Sequence, residues 1–166
     1  MLRKLIHTPH DHTLTILRLV LGVIFFAHGA QKVLGWFGGN GFSGTMGYFT
    51  NRMGIPTPFA ALAIMAEFLG GIGLIFGLLT RIAAFGISVV MAVAVFRVHA
   101  PNGLFMNWTG AQRGEGFEFH LLAIAIAVSL IARGEGAWSI DRLIERGLLT
   151  GSATERTGTA IPRHAV

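Results

Sequence analysis

The chain has 166 residues, enough for one compact domain, yet 52% are hydrophobic and only 13% charged. A soluble surface carries about 25% charged residues, so this composition excludes a protein whose only solvent is water. The absence of cysteine excludes disulfides, thiolate zinc sites, Cys-ligated iron–sulfur clusters and a catalytic thiol.

In chain order, residues 1–13 form a short segment carrying Arg3 and Lys4. The first apolar stretch runs from Leu14 to Leu34 and reaches the length of about 20 residues that a membrane-spanning helix needs. The stretch exceeds the apolar region of a signal peptide and contains Arg18, His28 and Lys32, so it reads as a retained span. A long loop from Trp36 to Pro58 follows. Its Gly39–Gly44 spacing matches a dinucleotide fingerprint, but no strand precedes it, so these are loop glycines. The part from Phe42 to Met53 mixes aromatic and small residues and suits the membrane interface.

Phe59 to Leu79 is the second apolar stretch, equal in length to the first, with Pro56 and Pro58 at its start. Its Gly73-x-x-x-Gly77 spacing predicts close helix packing. Ile82 to Val98 is the third, shorter and at the lower limit for a span. A second loop, Ala100 to Gly116, carries Phe105 and Trp108. The fourth stretch, Phe117 to Ala132, is the shortest and weakest; to span it must draw Glu118 and His120 into the membrane or extend toward Trp138. Ser139 then caps a short helix. There Ile140, Leu143, Ile144 and Leu148 form an apolar face, and Asp141, Glu145, Arg142 and Arg146 a charged one. Residues 150–166 are polar and small and read as a disordered tail.

The run Ala60 to Leu79 holds one charged residue, Glu67, and Ile82 to Phe96 holds none. A soluble bundle would show a polar face on each helix. The expectation is therefore an all-α integral membrane four-helix bundle over 14–149. Four spans put both termini, with the link between spans two and three, on one side. That side carries eight of the Lys and Arg residues against two opposite. The positive-inside rule then makes both termini cytoplasmic. The net charge of +5 is mostly a topology signal, and no nucleic-acid partner is needed.

Ionisable groups inside a membrane are costly, and each needs a reason. His28, Gln31 and Lys32 are spaced i, i+3, i+4 in the outer half of the first span. Glu67 lies roughly 12 Å below the outer end of the second. Arg97 and His99 end the third, and Glu118 and His120 open the fourth. All four helices thus bring ionisable groups to the outer side. The inner half is nearly bare; Arg18, at its edge, is expected to snorkel to the interface. A buried ion pair that only fixes helix register is the plainer account of Lys32 and Glu67. The functional account is a cavity with Glu67, His28 and Lys32 as reactive groups, and His99, Glu118, Gln31 and Arg97 as binding groups. Two His on facing helices can hold haem. His28 and His99, however, differ in depth by roughly 9 Å, which weighs against haem and a metal.

Leu17 to Lys32, with Arg18, Gly22, His28, Gly29 and Lys32, resembles the R-x-x-x-G…H-G-x-x-K pattern of the DoxX family of small bacterial membrane proteins. Glu67 to Arg81 resembles its E-x-x-G-G…G-L-x-T-R segment, and His99, Gly114–Glu118 and Ser139–Asp141 are similar to later family features, with Phe117 where the family has Tyr. The resemblance covers about Leu14 to Leu143. It implies a four-span inner-membrane protein tied to membrane oxidoreductase systems, and a site at Glu67, His28, Lys32, His99 and Glu118 for a quinone-like or other small apolar ligand. Without cysteine, any thiol step belongs to a partner oxidoreductase protein. The other class of reading is a non-enzymatic membrane scaffold or small-solute carrier. A carrier needs a polar route to the inner side, which the bare inner half opposes.

Overall fold

The computed structural model describes residues 11–134 and 136–146. Most of the segment 1–13, the residue Leu148 and the tail 150–166 lie outside the described residues.

Helix α1 runs His12–Val33. It starts two residues before the apolar stretch because Asp11 caps it, accepting from the Thr13 amide at 2.8 Å. Gly35, at φ +73°, turns the chain away after it. The outer loop is helical where an interfacial segment is expected: α2, Gly41–Gly47, continues into a π-helical turn, Tyr48–Arg52. Pro56 and Pro58 open α3, Thr57–Phe76. Helix α4, Thr80–Ala94, continues through a π-helical turn, Val95–His99, and a 3-10 turn, Ala100–Asn102. Helix α5 is Glu118–Arg133, and a last helical segment, α6, occupies residues 140–146.

Helix α1 packs on α3, α3 on α4, α4 on α5, and α5 closes back on α1. Leu21, Phe25, Leu74, Ile87 and Leu130 fill the centre. The closest approach is between α1 and α3: a side chain at Gly29 would overlap the backbone of Phe68, and one at Gly71 the backbone of Phe26. Small residues let two apolar helices meet where the hydrophobic effect offers no preference over lipid. The expected Gly73–Gly77 pair does not do this. Gly77 instead takes φ +64° and terminates α3, the left-handed conformation that glycine adopts at no steric cost.

The expectation of four spans needs correction. Among the described residues three helical runs are long and apolar enough to cross a membrane: α1, α3 and Thr80–Asn102. With 16 residues, α5 is about 24 Å long, short of a hydrocarbon core of about 30 Å. It cannot grow at its start, because the chain before it is folded back on the loop: Phe117 N donates to Gly103 O at 3.2 Å and Glu118 N to Leu104 O at 2.9 Å. Nor can it grow toward Trp138, because Gly134 at φ +95° ends it. The architecture is all-α with three long apolar helices, not a regular four-helix bundle.

Helix α5 still returns the chain to the end where it began. Ala137 N donates to Asp11 O at 3.1 Å, and Thr15 Oγ1 to Ala137 O at 2.7 Å. Two charged residues knit this end, and both overturn expectations. Arg18 does not snorkel: it is 1% exposed and donates to Leu74 O at 2.6 Å, Ile75 O at 3.0 Å and Trp138 O at 2.9 Å. The last carbonyls of a helix have no partner within it, and the guanidinium of Arg18 supplies donors to them. Asp141 is not on a solvated charged face. It is fully buried, accepting from Leu79 N at 2.8 Å and Thr80 N at 3.0 Å. A carboxylate at a helix N-terminus satisfies free amides and the positive end of the dipole. Leu143 and Ile144 of the expected apolar face are exposed, as residues facing lipid are. Asp141→Ala should therefore lower stability by about 2 kcal/mol, and Asp141→Asn by less, read as thermal unfolding in detergent. Equal midpoints for wild type and Asp141→Ala would remove the cap from this account.

Candidate functional site

The ionisable residues gather at the opposite end. The close packing of α1 on α3 brings the last turn of α1 beside Glu67, which follows Phe59 by two turns of α3. Lys32 Nζ donates to Glu67 Oε2 at 2.5 Å and to the His28 carbonyl at 3.4 Å. Glu67 is 4% exposed and Lys32 is half-buried, so the carboxylate of this ion pair is the group held away from solvent.

The pair borders a cavity of about 790 Å³ among α1, α3, α4, α5 and the outer loops. His28, His99 and His120 also line it. Groups from each of the four expected helices thus share one space: His28 and Lys32 from α1, Glu67 from α3, His99 from the extension of α4 and His120 from α5. His99 and His120 stand ring to ring, centroids 4.1 Å apart, and His99 Nδ1 meets Glu115 O at 2.8 Å. Two imidazolium rings at that separation repel each other. The same closeness leaves no room for a haem iron between the two rings. Among the described residues no group of three or more His, Asp or Glu side chains gathers around a single metal position.

The other expected binding residues are placed near the cavity and have structural partners. Gln31 Nε2 donates to Phe37 O at 3.3 Å, and its side chain also hydrogen-bonds His28, on the face the two were expected to share. Arg97 Nη2 donates to Met53 O at 2.9 Å, tying the extension of α4 to the outer loop. Glu118 Oε1 accepts from Met106 N at 2.8 Å, which fixes the second loop. None of the three lines the cavity. Tyr48, Phe49 and Glu115 do line it, and the sequence reading does not single them out. Tyr48 is the single tyrosine of the chain; that is a usable signal. Glu115 lies in a Gly-rich loop whose fold no periodicity announces; its Oε2 accepts from Asn107 N at 2.7 Å.

A membrane-embedded helical protein with an ion pair at the border of a mostly apolar cavity is the class these features define. Residues 13–100 match the DoxX family, and the chain belongs to it. With its long apolar helices, it is a multi-pass protein of the inner membrane. The chain is 28% identical over 141 residues to a Bacillus subtilis protein named "Putative oxidoreductase CatD", spanning 84% of this chain and 92% of that one. It is 28% identical over 136 residues to the inner membrane protein YqjF of Escherichia coli, spanning 82% of this chain and 95% of that one. A Haemophilus influenzae protein is 33% identical over 132 residues, spanning 77% of this chain and 87% of its own. No solved structure matches the chain.

Removing one partner of a buried pair strands the other charge. Lys32→Met should destabilise the protein by about 3 kcal/mol, whereas Lys32→Met with Glu67→Met should recover most of that loss. Thermal unfolding of the two variants in detergent checks this; a double variant no more stable than the single one contradicts the pairing.

Proposed function

We propose that the cavity holds the head group of a membrane quinone and that the protein acts as a subunit or partner of a membrane oxidoreductase system. The observation that carries this reading is the Lys32–Glu67 pair at the border of a mostly apolar cavity. Sites for small apolar ligands are apolar with a few converging polar groups. The pair offers one donor and one acceptor side by side. Lys32 donates to a quinone carbonyl oxygen, and Glu67 accepts from the hydroxyl of the reduced form. Reducing a quinone takes two electrons and two protons. The electrons come from a partner oxidoreductase, since the chain has no thiol to supply them. Glu67 and His28 first take up protons from the aqueous phase and then pass them to the ring oxygens, the role of positioned acid–base groups. The name of the Bacillus subtilis relative agrees with the oxidoreductase association.

Orientation belongs to the same reading. Arg81, Arg133, Arg142 and Arg146 lie at the Asp11 end, so in this reading that end faces the cytoplasm. The cavity then occupies the outer half of the membrane. A solute carrier is disfavoured, because Leu21, Leu74, Ile87, Ala127 and Leu130 fill the bundle between Glu67 and the basic end.

Protein purified in mild detergent should retain extractable quinone, and Glu67→Gln should retain at least fivefold less per mole of protein. Chromatography of a solvent extract measures both, and a visible absorption spectrum reports haem. Absence of quinone from the wild type, or equal retention by the variant, sinks the proposal and leaves the scaffold reading in its place.

A further inference from the structure

We infer that the cavity is loaded sideways from the bilayer, through a gap between the outer halves of α3 and α4, and that its ligand is recognised by an apolar tail lying in that gap as well as by its head group. The inference rests on the quinone-site reading and adds the route and the class of molecule.

Helices α3 and α4 pack closely from the turn that joins them up to the level of Ala66 and Gly86. There Gly70 faces Ile87, where a Cβ would lie 3.3 Å from Cδ1, and Gly86 faces Ala66 at 3.4 Å. Beyond that contact the two helices border the cavity from opposite sides, Phe59, Leu62 and Ala63 on α3 and Val89, Val90 and Val93 on α4. At the mouth Phe59, Leu62 and Phe85 are 64%, 65% and 62% exposed, and Val89 and Val93 are 45% exposed. Every one of these side chains is apolar. They belong to two of the long membrane-crossing helices, so the mouth opens onto hydrocarbon.

Tyr48, Phe49 and Met53 of the first loop also line the cavity, and the bond from Arg97 to the Met53 carbonyl holds that loop to the extension of α4. The buried carboxylate lies about 12 Å along α3 from Phe59. A ligand touching Glu67 or Lys32 through the mouth therefore runs past a long apolar wall. A small water-soluble molecule gains nothing from that wall. A tailed amphiphile with a compact uncharged head gains from both ends of the cavity. An isoprenoid quinone has that shape. A phospholipid does not, because its bulky charged head would have to occupy the space around an already balanced ion pair.

The test uses the full chain in lipid nanodiscs, with empty nanodiscs subtracted to remove partitioning. The probes are a decyl-tailed benzoquinone and the same benzoquinone lacking the tail. Wild type should bind the tailed probe at least tenfold more tightly. Leu62→Trp with Val89→Trp fills the mouth with side chains that already face lipid. It should weaken the tailed probe at least tenfold and change the tailless probe less than twofold. Val93→Trp alone is the milder second variant and should give a smaller loss of the same kind. An unchanged tailed-probe affinity in both mouth variants, each melting like wild type, overturns lateral loading while the head-group site stands. Glu67→Gln binding both probes like wild type overturns the head-group site and this inference with it. A co-purified phospholipid that the tailed quinone fails to displace also overturns it.

Discussion

The approach of α1 to α3 through Gly29 and Gly71 is the constraint on which the site depends. Helix backbones can come this near only where side chains are absent, and here the contact sits directly below the polar residues. Lys32 follows Gly29 by nearly one turn, and Glu67 precedes Gly71 by about one, so the same register that seats the glycines sets the ammonium against the carboxylate. A bulkier residue at either position would part the helices and leave two buried charges facing hydrocarbon. Desolvating an isolated charge costs several kcal/mol, while a paired one recovers most of that. The ion pair and the glycine contact thus depend on each other.

The two ends of the molecule solve one problem with different parts. Helix termini leave amides and carbonyls unpaired, and in an apolar setting these need partners. At the basic end Arg18 serves the last carbonyls of α3 and Asp141 serves the first amides of α4. Arg81 adds a bond to the Ile131 carbonyl at the end of α5. These bonds consume the charge and close the end. At the other end Glu118 serves an amide of the second loop, which leaves Lys32, Glu67, His28, His99 and His120 around open space. Charge spent on backbone is structural; charge gathered around a cavity is available to a ligand.

Much of this is legible in the sequence. The three long helices follow from uninterrupted apolar runs, and the meeting of Lys32 with Glu67 follows from counting depth along antiparallel helices. What the count does not supply is tertiary. Asp141 looks like one residue of an i, i+4 charged face, because nothing local says that α4 begins beside it. Arg18 looks like a snorkelling residue, because its distance from the membrane surface can be counted and the positions of the Leu74 and Ile75 carbonyls cannot. Arg97 and Glu118 sit at the expected depth but serve backbone, since a rise per residue fixes height and leaves direction open. The fourth span fails on a boundary: the loop before Glu118 pairs with Gly103 and Leu104, a contact that no hydropathy profile contains.

The asymmetry of the bundle bears on what kind of chemistry it can serve. The cavity is closed beneath by Leu21, Leu74, Ile87 and Leu130, so under the proposed function protons would reach it from one side of the membrane only. Its titratable groups run from the Lys32–Glu67 pair to the His99–His120 pair. In the proposed reading, an apolar mouth on the flank keeps the path of the ligand apart from the path of the proton. A through-carrier needs a site that both faces reach in turn, and the packed inner half gives no second approach. A site that takes its ligand from lipid and its protons from one aqueous face is suited to redox exchange with the membrane pool. In such a site the helix packing that buries Glu67 also decides on which side its proton is taken and released.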